Sequence, residues 1–258
     1  MLLLNIALAL SLVPGLCLSR DIPENIDRLY RRITNLAQCT ANEQVGYYTS
    51  PGSNEDTFGY CADFYQSYGI MYIQGMQRHL ADMDVACKGL RGGPADDGRC
   101  DSPNSPPGST SFSQKVASYK KSIPDLSPYI HPYVVFGNSG ATRPFEPRRY
   151  GIEPLSVMAV VCNGKLIYGL WGDERHDSGA RALVGEASLA LATACYGGAM
   201  GAGHGHPGTD VLYIGFNGTE AVPGRDGAKW DAKSYGEFEA SIEGLGDKLI
   251  ERITPPPE

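Results

Sequence analysis

Leu155 to Cys162 is an apolar run broken only by Ser156, Asn163-Gly164 follows, and Lys165 to Trp171 is a second, largely apolar run. Asn-Gly between two such segments is the sequence of a two-residue type I′ turn, because both residues tolerate positive φ and the turn's twist matches that of paired strands. The pattern predicts a buried β-hairpin, and it limits the chain to folds with a sheet at their centre.

The other segments arrange themselves around that hairpin. Asp21-Ile22-Pro23-Glu24 reads as a helix start with an Asp cap, and Ile26, Leu29, Tyr30, Ile33 and Leu36 continue it at helical spacing. Val45 to Ile73 is rich in Tyr and Gly and predicts short strands and turns. Gly89 to Ser113 is a Gly/Pro/Ser/Asp-rich loop, long enough to be either functional or mobile. Val134 to Phe136 and Val211 to Phe216 are strand candidates, and Ala187 to Tyr196 reads as a helix. Tyr235, Phe238, Ile242, Leu245 and Leu249 mark a terminal amphipathic helix. Strands mixed with peripheral helices, without a βαβ rhythm, predict a β-rich α+β fold around a small β-barrel. The Asp-ended strand followed by a short helix is similar to double-psi barrels.

Met1 to Leu18 is apolar and uncharged, interrupted by Pro14 and Gly15, with small residues Cys17 and Ser19 before Arg20. This reads as a secretory signal peptide over residues 1–19, too short for a bilayer span of about 20 residues. Residues 20–258 are then one domain, expected to be extracellular and monomeric. Removing Cys17 from the 7 cysteines leaves 6, an even number that suits disulfides in an oxidising compartment. Cys87 and Cys100 flank the long loop and could close it, although sequence does not fix the pairing. No C-x-x-C pair suggests zinc. Asn217-Gly218-Thr219 is a glycosylation sequon. The net charge of −7 argues against nucleic acid as a partner. It also favours a cationic substrate, though moderate acidity serves solubility equally well.

Three constellations have plainer explanations beside the functional ones. Gly137-Asn138-Ser139-Gly140 resembles a serine-nucleophile loop only superficially, since a triad needs a base held by a carboxylate and His131 has no such setting. His204 and His206 are too few for a metal site without further ligands. Asp173 stands apart. It follows Trp171 at the end of an apolar strand, and Glu186 follows 13 residues later at the expected start of a helix. Two carboxylates on adjoining rigid elements are the equipment for glycoside hydrolysis, one protonating the departing oxygen and one activating water or attacking the sugar. Glu186 also has a structural explanation, because an acid at a helix N-terminus favours the dipole.

The run Ile130 to Asn138, then Gly151 to Cys162, Tyr168-Gly-Leu-Trp-Gly-Asp173 and Gly185-Glu-Ala-Ser188 resemble the fungal chitosanases of glycoside hydrolase family 75. Tyr60-Cys61, Met83-Asp84 with Cys87, and Asp210 to Phe216 fit the same resemblance. It implies endo-hydrolysis of β-1,4-linked glucosamine polymers with inversion, by Asp173 and Glu186, with no metal or organic cofactor. Chitosan carries ammonium groups, so Asp82, Asp84, Glu174 and Asp177 become candidate substrate contacts, with Trp171 as a stacking surface. The chain departs from the family after Asp173, where Glu174-Arg175-His176-Asp177-Ser178-Gly179 replaces a Thr-Asn-Gly-like turn. A dipole at Glu186 points to the base, but burial shifts a carboxyl further. Sequence does not give the burial, so the division of labour stays open; the expectation is Glu186 as the acid and Asp173 as the base. The alternatives are another polysaccharide hydrolase with this site, or a catalytically silent chitosan-binding or wall-loosening protein.

Overall fold

The computed structural model of the chain describes residues 20–50, 57–103, 105–176 and 182–254. The expected signal segment and Asp177 lie outside the described residues. The first helix, α1 (Glu24–Asn35), buries Ile26, Leu29 and Ile33. Its N-cap is Pro23, without a side-chain cap, so the expected Asp21 cap does not form.

The Tyr-rich segment folds as β1 (Asn42–Tyr47), β2 (Phe58–Cys61), the single turn α2 (Tyr65–Tyr68) and β3 (Ile70–Gln74). There follow β4 (Ala81–Ala86), the long loop, α3 (Ser113–Ser118), β5 (Tyr133–Asn138), β6 (Val157–Cys162) and β7 (Lys165–Arg175). The chain ends with β8 (Glu186–Ser188), α4 (Leu189–Tyr196), β9 (His206–Phe216) and α5 (Tyr235–Ile250). The fold is mixed α+β and strand-rich.

The hairpin forms as its sequence predicts. Cys162 pairs with Lys165, and Asn163 and Gly164 take φ of 47° and 69°. The register then runs from Val161↔Leu166 to Val157↔Leu170. β6 is buried along its whole length, the pattern of a strand covered on both faces. α5 covers the hairpin on one side. Its Gly246 lies so close to Tyr168 that a Cβ would meet the ring at 2.4 Å, so glycine sets the helix-to-strand distance.

Among the described residues the strands pair in the order β1-β2-β3-β9-β4-β8-β5-β7-β6, and β6 pairs with β9 again. Three disulfides pin this sheet's connections. Cys39–Cys61 ties the segment after α1 to β2, and Cys162–Cys195 ties β6 to α4. Cys87–Cys100 closes the start of the long loop, as its flanking cysteines allow. No helix among the described residues is long and apolar enough to cross a membrane.

Two local expectations change. β7 runs on through Asp173 to Arg175 instead of ending at Trp171, because it gains a parallel partner in β5. Glu186 begins a three-residue strand, not a helix. The helix starts after it, capped by Ser188, whose hydroxyl accepts from the Leu191 N–H.

Candidate active site

The register places four residues in one line across four strands. Asp84 on β4 pairs with Glu186 on β8, Glu186 pairs with Val135 on β5, and Val135 pairs with Asp173 on β7. Paired residues on neighbouring strands project to one face of a sheet. Asp173 reaches this line through an irregularity. Trp171 pairs with Val134 and Asp173 with the very next residue, Val135, so Gly172 is the extra residue of a bulge, a device that re-aims side chains. A Cβ on Gly172 would meet the Tyr133 Cβ at 2.5 Å, so only glycine fits there.

Asp173 is almost fully enclosed, its side chain 1% exposed. Its Oδ1 accepts from the Ser111 N–H at 2.7 Å and from the Ser111 hydroxyl at 2.5 Å. Its Oδ2 faces Lys88 Nζ at 3.2 Å. Three donors around a carboxylate complement its acceptor-only chemistry. Ser111 comes from the end of the long loop, and its neighbour Thr110 anchors that loop in the same manner. Thr110 donates its N–H and its hydroxyl to buried Asp125 at 2.9 and 2.5 Å.

Glu186 is more open, its side chain 22% exposed, and Arg175 Nη1 lies 2.5 Å from its Oε2. Arg175 stands two residues beyond Asp173 on β7, hence on the same face of the strand. Burial pushes the Glu186 carboxyl above its ordinary value, Arg175 pulls it back, and the Asp173 charge adds to the rise. On the far side of Glu186, burial and the charge of Glu186 push Asp84 up to about 6, against Arg175.

Of the predicted site residues, Asp173, Glu186 and Asp84 come together on one face. Glu174 adjoins them through its backbone, its N–H approaching the Ser111 hydroxyl at 3.3 Å. Two expectations are corrected. Trp171 is fully buried, with Phe112 edge-on at 4.9 Å and the Arg148 guanidinium 5.7 Å from its ring, so no ring face is open to a sugar. Asp82 is 4% exposed, and burial together with Asp84 pushes its carboxyl up to about 9. An enclosed, uncharged carboxyl offers no anion to an ammonium group. Asp82 instead packs on Gly185, where a Cβ would meet its Oδ1 at 2.2 Å, and so helps place Glu186.

Elsewhere, His131 is a buried structural residue. Its Nδ1 accepts from the Ser127 N–H, its Nε2 faces the Trp230 carbonyl, and burial pushes it down to about 4. His206 stacks on Tyr196 at 3.9 Å and contacts Asp210. The sequence did not point to Lys88, Ser111 or Arg175 beside the two carboxylates, nor to the contacts of His176 with Ser111 and Ser139. The length of the loop was the signal for Ser111, and the unusual charges after Asp173 were the signal for Arg175 and His176.

Carboxylates spaced across a strand, each with a cation and one enclosed by donors, are the working parts of a glycoside hydrolase. Comparison with known proteins narrows the class. A family model described as fungal chitosanase of glycosyl hydrolase group 75 matches residues 83–252, a span that contains Asp84, Lys88, Ser111, Asp173 and Glu186. Endo-chitosanase B of Aspergillus oryzae (strain ATCC 42149 / RIB 40) is 41% identical over 244 residues, covering 94% of this chain and 95% of its own length. An endo-chitosanase of the same strain is 42% identical over 236 residues, covering 89% and 91%. An endo-chitosanase of Aspergillus fumigatus is 38% identical over 244 residues, covering 94% and 95%. The chain belongs to the group 75 fungal chitosanase family of glycosyl hydrolases.

Proposed function

We propose that this protein is a secreted endo-chitosanase that cleaves β-1,4 links between glucosamine units with inversion. Glu186 acts as general acid and Asp173 as general base. The observation that carries the reading is the register line. Asp173 and Glu186 lie on strands separated by β5, so their backbones are two strand spacings apart, about 10 Å. Inverting enzymes hold their carboxyl groups about 6.5–9.5 Å apart to admit a water, whereas retaining enzymes need about 5–5.5 Å. Adjacent strands, about 4.8 Å apart, would favour the retaining geometry.

The bond changes balance within this site. Asp173 takes a proton from water as the water oxygen bonds to the anomeric carbon. The glycosidic bond breaks, and the Glu186 proton passes to the departing oxygen. Burial of Glu186 favours the protonated acid, and Arg175 stabilises the carboxylate left behind. Lys88 and Ser111 hold Asp173 in place. Asp84, beside Glu186, faces the ammonium groups of the substrate.

Residues 20–258 form a single catalytic domain on this reading, and the return pairing of β6 with β9 supports a six-stranded barrel of double-psi type. Three disulfides fit an extracellular protein. The test is scission of soluble chitosan, followed by viscosity, with proton NMR of the first products. Wild-type protein should cut and release α-anomers. Asp173→Asn and Glu186→Gln should each lose at least about 100-fold in kcat, the scale of general acid–base catalysis. β-Anomers would refute inversion, and full activity in either variant would refute its assignment.

A further inference from the structure

We propose that His176, backed by Ser139, is a positioning residue that orients the Ser111 hydroxyl toward Asp173. The proposal rests on the reading of Asp173 as a catalytic carboxylate. Its basis is a chain of hydrogen bonds that leaves the substrate-facing residues and crosses to the end of a second strand. The Ser111 hydroxyl lies 2.5 Å from Asp173 Oδ1, His176 Nε2 lies 3.1 Å from that hydroxyl, and Ser139 Oγ lies 2.6 Å from His176 Nδ1. Ser139 follows β5 directly and is itself fixed, its N–H donating to the Arg175 carbonyl at 3.0 Å.

Counting protons gives the chain a direction. A serine hydroxyl has one proton and two lone pairs. Its shortest contact is to the Asp173 carboxylate, and ionised acceptors draw the shorter and stronger bonds, so the proton belongs there. The Glu174 carbonyl, at 3.2 Å, is the weaker competitor for the same proton. One lone pair accepts from the Glu174 N–H at 3.3 Å. The other accepts from His176, which requires Nε2 to carry hydrogen. In the neutral ring Nδ1 is then the acceptor, and the Ser139 hydroxyl donates to it.

With both lone pairs engaged, the hydroxyl has one orientation left, and it points at Asp173. The imidazole is half-exposed, and the nearest carboxylate to its ring nitrogens among the described residues is Glu174, with Oε1 4.0 Å from Nε2. His176 therefore touches neither the carboxylate nor the line of acids. It acts through Ser111.

A double-mutant cycle on chitosan scission tests this. His176→Ala should lower kcat by about three- to tenfold, the size of one neutral hydrogen bond, with KM changed less than about twofold. His176→Gln, whose amide can reach the Nε2 position and donate, should restore most of that loss. In a Ser111→Ala background, His176→Ala should have no further effect, whereas independent sites would add. Additive losses, or no rescue by Gln, overturn the proposal. A readout without turnover accompanies it: imidazole ¹⁵N shifts at alkaline pH should show hydrogen on Nε2, perturbed by Ser111→Ala. Hydrogen on Nδ1 overturns the chain of bonds. Wild-type protein that leaves chitosan uncut would instead overturn the chitosanase reading, and the ¹⁵N spectrum still decides the hydrogen bonds.

Discussion

Replacing Asp82 by Asn should change how the stability of this protein depends on pH. Asp82 is 4% exposed, and burial raises its carboxyl from an ordinary 3.8 to about 9, with the neighbouring Asp84 adding to the rise. In the unfolded chain the group ionises near 3.8, but in the fold it keeps its proton until about 9. Between those values the folded state holds one proton that the unfolded state has released. Stability therefore falls as pH rises, by about 1.36 kcal/mol per pH unit. The contribution is whole below 3.8, and by pH 7 about 4 kcal/mol of it is gone. An asparagine is uncharged throughout and removes this slope. It also carries a constant penalty, since Asp82 Oδ1 has no hydrogen-bond partner among the described residues and an amide there leaves a donor unsatisfied, at roughly 1–3 kcal/mol. That penalty is the same at every pH, so the slope is the diagnostic and the offset is not. Urea unfolding with the disulfides intact, followed by fluorescence of buried Trp171 and Trp230, gives the stability of both proteins from pH 4 to 9. The stability of Asp82→Asn relative to wild type should rise by about 4 kcal/mol between pH 4 and 7 and continue rising toward 9. A difference that stays level across this range would refute the assignment of a buried, protonated Asp82.

Gly185→Ala should destabilise the protein by about 2–4 kcal/mol in the same unfolding assay, because φ there is +86° and a Cβ would meet Asp82 Oδ1 at 2.2 Å. It should also lower kcat by displacing Glu186; unchanged stability would show that the 82–185 contact is slack. Arg175→Gln removes the cation that holds the Glu186 carboxyl down, so the alkaline limb of the kcat/KM profile, where the acid loses its proton, should move to higher pH. kcat should fall roughly tenfold or more with the loss of a charge-assisted hydrogen bond. A limb that stays in place, or moves down, would separate that limb from Glu186.

The parts of this fold legible in the sequence are those whose cause is local. The β6–β7 hairpin is one, since two residues set both the turn and the register. The amphipathic α1 and α5 are others, each carrying its buried face at its own period. β8 was not legible. Three residues have no measurable period, and their extended form comes from β4 and β5, which lie about 100 and 50 residues earlier in the chain. The Ala/Leu run after Ser188 is helical, and pattern alone absorbs Glu186 into it. The same holds for Asp173, where Gly-Asp-Glu-Arg reads as a loop until a parallel partner extends the strand. Ser111 and Lys88 reach Asp173 across 62 and 85 residues, contacts that exist only once the distant strands have paired.

Placing Glu186 on a strand also reverses an argument about its chemistry. At a helix start, the dipole would favour the charged carboxylate by about 0.3–1 kcal/mol and suit a base. On β8, Glu186 lies two residues before the N-cap Ser188, outside the first turn of α4 where the dipole acts. What acts on Glu186 is burial, opposed by Arg175 and reinforced by Asp173, and together they raise its carboxyl above the ordinary value. The surroundings of Asp173 differ in kind: two donors from Ser111 and one from Lys88 face its oxygens. An acid raised by burial beside a carboxylate enclosed by donors is the asymmetry that separates acid from base when two like groups share a site. Chain order alone could not supply it, because Lys88 and Ser111 come from the long loop between β4 and α3 and reach Asp173 on β7 from far along the chain. The asymmetry therefore belongs to the paired strands and the loop. This is why it supports Glu186 as the acid more strongly than either motif does by itself.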